Sequence, residues 1–237
     1  MDLVFMKKTY TMYDFHPSRG KVPDHIGLIP DGTRRWAQVN GVSLTESYYI
    51  STRKIAEHIE FLFGYGIKTI SLYHSTYQNI LNRSNEELKP IKDATALFCS
   101  QYLIGIINRF RTKVLVKGHL DVIPNEVKKI IDQIPVVSES SAETELYVLI
   151  AYNPLEEVLN AARSSKGNGD FIECLWVPKP LDLVIRTGGA ALLSNFLPLQ
   201  AGYARLYFLD KLFNDVDLED YKKILHSFQE LTRKYGE

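Results

Sequence analysis

The stretch His25-Ile-Gly-Leu-Ile-Pro-Asp-Gly-Thr-Arg-Arg-Trp-Ala37 decides how this chain is read. An apolar run over 26–30 stops at an acid, a glycine, a hydroxyl and two arginines. Buried parallel strands read as such runs, and open α/β sheets bind ligands beyond the carboxyl ends of their strands. Asp31 falls at that end. Gly32 permits a close turn, after which the N–H groups of residues 32–35 point at an anion from a helix N-terminus. Thr33 adds a hydroxyl, and Arg34 and Arg35 add forked donors that match phosphate oxygens. Asp31 also suits Mg²⁺, which often binds one carboxylate plus substrate phosphates. The plainer reading is an Asp-Gly turn followed by a solvated arginine pair.

Further apolar or β-branched runs predict strands at 25–30, 68–73, 112–117, 145–151, 182–187 and 204–209. Helical spacing lies between them. Residues 45–64 place Ile55, Ile59, Leu62 and Phe63 on one face, and 85–110 is the longest helical candidate. Ser84 and Glu87 have the spacing of a capping box, Asn153 precedes a helix that starts with Pro154, and Asp217 is positioned to cap the last helix, which ends near Gly236. Strands alternating with helices predict an α/β fold with a mostly parallel sheet covered on both faces. Residues 1–24 read as a leader and 25–237 as a single domain, with a flexible loop at 164–169.

Lysine plus arginine and aspartate plus glutamate both number 28, so the net charge is zero and any anion site must be local. That balance gives no indication of nucleic acid as a partner. Cys99 and Cys174 lack metal-site spacing and read as reduced packing residues. No apolar stretch approaches the ~20 residues of a membrane span, and the expected location is the cytoplasm.

A second constellation runs from Asp182 to Asp210. Its strand ends at Arg186-Thr-Gly-Gly189, with Ser194 and Asn195 following. An arginine at the carboxyl end of a strand, beside glycines that allow close ligand approach, makes a second candidate anion pocket. By itself Gly188-Gly189 reads as a turn.

The two segments together resemble the cis-prenyltransferases, relatives of undecaprenyl diphosphate synthase. Asp182-Leu-Val-Ile-Arg-Thr-Gly-Gly189 matches that family's late motif throughout. Asp31-Gly-Thr-Arg-Arg-Trp-Ala37 matches its early motif in part, and the likeness spans roughly residues 25–236. The resemblance implies a six-stranded, mainly parallel sheet flanked by helices, an apolar tunnel for an isoprenoid tail, and a homodimer. It implies that Asp31 handles Mg²⁺ and an allylic diphosphate, that Gly32 and Arg35 hold that diphosphate, and that Arg186 and Ser194 hold a second one. Arg83 falls where the family has an arginine beside a mobile loop. Trp36 is implied to be structural or tunnel-adjacent. Phe98, Tyr102, Ile106 and Phe110 are candidates for the tail, although such a stripe also reads as core.

The departures are informative. Thr33 and Arg34 replace the family's asparagine and second loop glycine, and Leu44 and Tyr48 stand where an arginine and a histidine usually follow. This altered pattern resembles the branch that makes lavandulyl and cyclolavandulyl diphosphates, joining two dimethylallyl-type units head to middle. Leu192 replaces a second-site arginine and Arg205 a late glutamate. Arg205 is expected to take over part of the lost charge and to weaken Mg²⁺ dependence at the second site; the alternative is a solvated arginine outside it. The expected activity is prenyl transfer from short allylic diphosphates to an irregular, branched or cyclic product. The alternatives are a terpene cyclase or a prenyltransferase with a non-diphosphate acceptor, and a non-catalytic subunit. His74 is a candidate proton acceptor only through its place in the loop after the second strand, and His25 reads as packing.

Overall fold

The six apolar runs become six strands. In a computed structural model describing residues 22–165 and 171–230, they are β1 (His25–Ile29), β2 (Thr69–Tyr73), β3 (Thr112–Lys117), β4 (Thr144–Leu149), β5 (Leu183–Arg186) and β6 (Arg205–Phe208). They form one sheet in the order β3-β4-β2-β1-β5-β6, with parallel pairing throughout. The sheet extends from β1 to one side through β2, β4 and β3, and to the other through β5 and β6. Such a change of direction opens a crevice at the strands' carboxyl ends.

The connections are α1 (Thr33–Asn40), α2 (Leu44–Gly64), α3 (Tyr77–Asn82), α4 (Asn85–Leu97), α5 (Leu103–Phe110), α6 (Asn125–Asp132), α7 (Pro154–Ser164) and α8 (Leu218–Glu230). The expected caps are present. Ser84 and Glu87 form a capping box, Asn153 accepts from the Leu155 N–H, and Asp217 accepts from the Asp220 N–H. Residues 85–110 do not form one uniform helix. A π-helical turn, Phe98–Tyr102, separates α4 from α5. The leader over residues 1–21, most of the 164–169 loop and the chain end near Gly236 lie outside the described residues.

The larger core packs α2, α5 and α8 against one face of the sheet, with Ile26, Ile59, Leu62, Ile70, Ile106, Leu146 and Leu225 inaccessible to solvent. The other face buries Leu149, Val177, Leu181, Val184, Phe196 and Leu197. Fully burying such a side chain stabilises by about 1.5–3 kcal/mol, which makes the strand ends a firm platform. Among the described residues no helix is long and apolar enough to cross a membrane.

Candidate active site

The two motifs meet because β1 and β5 are neighbours, with Ile29 beside Arg186. Asp31 follows β1 after one proline. The Thr187 hydroxyl accepts from the Asp31 N–H at 2.9 Å and donates to the Asp31 carbonyl at 2.7 Å, which fixes the Asp31 backbone to the end of β5. Arg186 then donates from Nη2 to Asp31 Oδ2 at 2.8 Å. Its Nη1 donates to Ser194 Oγ and to the Leu192 carbonyl, both at 2.8 Å, while its Nε is buried and has no partner. Arg35, one helical turn beyond Asp31, brings Nη2 to 3.4 Å from Asp31 Oδ1. The aspartate is thus held between an arginine from each motif.

Backbone conformation makes this approach possible. Gly32 has φ 113° and Gly188 φ 85°, both left-handed. A Cβ on Gly188 would lie 2.5 Å from Arg35 Nη2 and 3.0 Å from the Asp31 carbonyl oxygen. Ser194 and Asn195 also adopt positive φ, 51° and 63°. Such conformations are costly for non-glycine residues and gather at functional sites. Tyr73 supports the strained loop by donating its hydroxyl to the Ser194 carbonyl at 2.9 Å.

Asp31, Gly32, Thr33, Arg34, Arg35, Arg83, Arg186 and Ser194 all line one cavity of about 700 Å³. Four arginines and two carboxylates, Asp31 and Glu87, contribute to its wall. Arg34 pairs with Glu87 of α4 at 3.0 Å. Arg83 bonds the Tyr48 hydroxyl, and its Nε is buried without a partner. No side chain caps the N-terminus of α1, because the capping position is Gly32, and the hydroxyl of Thr33, the first helical residue, is turned to Ser51 at 2.9 Å. The apolar part of the wall comes from Leu44, Ile55, Leu72, Ile91, Ala94 and Phe98.

Tyr48, Asn79 and Glu87 also line the cavity and are absent from the sequence-derived site. Tyr48 was visible only as a departure from a family position. Glu87 carried the separate signal of a capping box, and Asn79 gave none.

Three expectations are corrected. Arg205 is not in the site. It is the first residue of β6, paired with Leu183 at the start of β5, so it lies at the amino end of the sheet whereas Arg186 ends β5. Its Nη1 donates to the Phe228 carbonyl at 3.0 Å, and its guanidinium sits over the Phe228 ring. It cannot replace the lost second-site cation or the metal's charge. Tyr102 packs against the larger core rather than lining the cavity, as do Ile106 and Phe110, so only Phe98 of that stripe reaches it. Trp36 is structural. Its Nε1 donates to Asp215 at 2.7 Å and ties α1 to the turn Phe213–Asp215. His25, by contrast, is the packing residue it was read as, set between the Pro180 carbonyl and Ser71.

The family model described as "Putative undecaprenyl diphosphate synthase" matches residues 29–236. The chain belongs to the cis-prenyltransferase family. It is therefore a prenyltransferase of the isoprenyl diphosphate synthase type. This cis-prenyltransferase is 29% identical to a tritrans,polycis-undecaprenyl-diphosphate synthase (geranylgeranyl-diphosphate specific) of Sulfurisphaera tokodaii, covering 96% of this chain and 95% of that one. It is also 29% identical to a chloroplastic nerylneryl diphosphate synthase of Solanum lycopersicum, covering 91% and 71% respectively. Its fold matches the crystal structure of lavandulyl diphosphate synthase from Lavandula x intermedia in complex with dimethylallyl diphosphate, with TM-score 0.84, 24% identity, and coverage of 91% and 99%.

Proposed function

We propose that this cis-prenyltransferase couples short allylic diphosphates into an irregular, branched or cyclic short-chain isoprenoid diphosphate. The observation that carries the reading is the fusion of the two motifs into one cluster. Arg186, the cation of the late motif, is engaged by Asp31 of the early motif. Leu192, where the family has a further arginine, is 53% exposed. That arrangement supports one strong diphosphate site and a weakened second one. The likeness to lavandulyl diphosphate synthase speaks to the fold alone.

In this reading Arg34, Arg35 and Arg83 bind the allylic diphosphate, with Thr33 and Gly32 supplying N–H groups at the start of α1. Arg186 and Ser194 bind the second diphosphate, which requires Arg186 to loosen its hold on Asp31. Charge fixed in advance around a departing diphosphate lowers the barrier to carbon–oxygen cleavage. Leu44, Ile55, Ile91, Ala94 and Phe98 keep water from the cation and set the incoming alkene against it.

The donor set fits Mg²⁺ arriving with the substrate. Asp31 is a single carboxylate, and among the described residues no cluster of three or more His, Cys, Asp or Glu side chains forms a cage. Asp31 would hold the ion, which when bound neutralises charge on the leaving diphosphate.

A homodimer is part of the proposal. Leu192, Leu199, Tyr203 and Leu206 are exposed on the β5–β6 connection and on β6, an edge strand. An apolar edge strand is a ready template for pairing. Sedimentation of the purified chain tests it, since a monomer at micromolar concentration contradicts it.

The second reading is head-to-tail elongation with isopentenyl diphosphate, favoured by the likeness to undecaprenyl-diphosphate synthases such as the Sulfurisphaera enzyme. Diphosphate release from dimethylallyl diphosphate separates the two. Release without isopentenyl diphosphate supports irregular coupling, whereas strict dependence on it supports elongation.

A further inference from the structure

The segment after β6 backs both motifs at once. It holds the late motif by backbone: the Gly188 N–H donates to the Lys211 carbonyl at 2.8 Å and the Gly189 N–H to the Leu209 carbonyl at 2.9 Å. In the early motif the Asp31 carbonyl accepts from the Phe213 N–H at 3.1 Å. Leu212 lies so close to Gly32 that a Cβ there would meet it at 2.9 Å. Lys54 of α2 ties the segment down by donating to the Val216 carbonyl at 2.7 Å.

Asn214, in the middle of the turn, closes a ring of hydrogen bonds behind the start of α1. Its Oδ1 accepts from Ser51 Oγ at 2.5 Å. Its Nδ2 donates to the Ser47 carbonyl at 3.0 Å and to the Ser47 hydroxyl at 3.1 Å. The Ser47 carbonyl can only accept, which fixes the amide this way round. Ser47 Oγ donates to the Thr33 carbonyl at 2.8 Å, and the Thr33 and Ser51 hydroxyls are 2.9 Å apart. The ring therefore starts and ends on Thr33, the first residue of α1, and grips it by carbonyl and side chain. All four residues are buried, and neither Asn214 nor Ser47 lines the cavity.

Apolar side chains would fill this space without the desolvation cost of four buried polar groups. A fully satisfied polar ring differs in specifying a single arrangement. What it arranges is the first turn of α1, whose leading N–H groups have no intrahelical partner and whose Arg34 and Arg35 line the cavity.

We infer that Asn214 is a positioning residue for the diphosphate of the allylic substrate, acting through Ser47 and Ser51 on Thr33. The inference rests on the assignment above of that diphosphate to the start of α1. Opening the ring releases Thr33, and the donors of α1 lose their alignment with Asp31 and Arg186.

The test compares the parent with Asn214→Ala and Ser47→Ala, by calorimetric titration with inorganic diphosphate and Mg²⁺ and by kinetics with dimethylallyl diphosphate. The expected fall in kcat/KM is up to about 10²-fold, the effect of an ångström-scale misplacement. It should come mostly through KM, with the Kd for inorganic diphosphate rising in step. The double variant should be no worse than Asn214→Ala alone, because the ring is already open. Ser47→Ala deletes a single oxygen and serves if Asn214→Ala fails to fold. Thr112→Val is the control. It removes a buried hydroxyl 2.8 Å from that of Thr144, at the amino ends of β3 and β4. It should lower the denaturation midpoint and leave Kd at the parent value. Parent-like Kd and KM in the folded ring variants, or an equal rise in Thr112→Val, overturns the positioning role alone. A parent that binds no diphosphate overturns the anion-site reading and this one together.

Discussion

Arg186 Nη2 donates to Asp31 Oδ2 at 2.8 Å, joining residues 155 positions apart at the ends of adjacent strands. The arginine side chain is 8% exposed and the aspartate 35%, so the pair is half sheltered from water. Removing the acid leaves a buried guanidinium without its counter-charge. Asp31→Ala should lower kcat/KM by about 10²–10³-fold, as loss of a principal electrostatic group does. It should also cost about 1–3 kcal/mol of stability, the penalty for stranding a buried donor. Asp31→Asn should recover most of the stability and little of the activity. Urea unfolding alongside kinetics checks both, and equal losses of stability in the two variants contradict the account.

Gly188→Ala tests the close approach of the motifs. The new methyl group would meet Arg35 at 2.5 Å, at a position whose φ is +85°. The left-handed conformation alone costs about 1–2 kcal/mol for a residue with a Cβ. Arg35 must then move, and KM for the allylic diphosphate should rise more than kcat falls. An unchanged KM would show that Arg35 does not hold the substrate.

Arg34 is tethered to Glu87 across the cavity, at an exposed pair 3.0 Å apart. Exposed ion pairs contribute about 0–1 kcal/mol, so Glu87→Gln should barely alter stability. It frees Arg34 for an anion, and affinity for inorganic diphosphate should increase. Calorimetric titration measures this directly. Weaker binding in Glu87→Gln would mean that the carboxylate orients the arginine rather than competing for it.

Acid should loosen the fold before its carboxylates protonate. Desolvation lowers the pKa of His25 to about 4 and of His58 to about 3, from the ordinary 6.5. Because the folded values lie below the unfolded one, the stabilising neutral state is fully favoured above pH 6.5. It is lost as pH falls toward the folded values. Between those limits each pH unit removes about 1.4 kcal/mol per histidine. The denaturation midpoint should fall steadily on acidification from neutral pH to pH 5, and a flat profile contradicts the prediction.

The strands were legible because parallel strands covered on both faces need continuous apolar residues, as in Ile26–Ile29 and Leu183–Ile185. Asp31 and Arg186 were legible because each ends such a run. Arg205 was misplaced although its strand was recognised: the first residue of a parallel strand lies at the opposite edge of the sheet from the last. The Arg34–Glu87 and His74–Thr95 pairs span 53 and 21 positions and depend on how α4 packs, which helical periodicity leaves undetermined. The turn Phe98–Tyr102 likewise redirects Tyr102 into the core without a local sequence signal.

The central claim is that one fused anion cluster couples allylic units without head-to-tail elongation. Its most direct test is the carbon skeleton formed from dimethylallyl diphosphate as the sole substrate with Mg²⁺, dephosphorylated and identified by mass spectrometry and NMR. The account predicts a branched or cyclic product containing two isoprene units. A product formed only when isopentenyl diphosphate is added, with a linear skeleton, contradicts it.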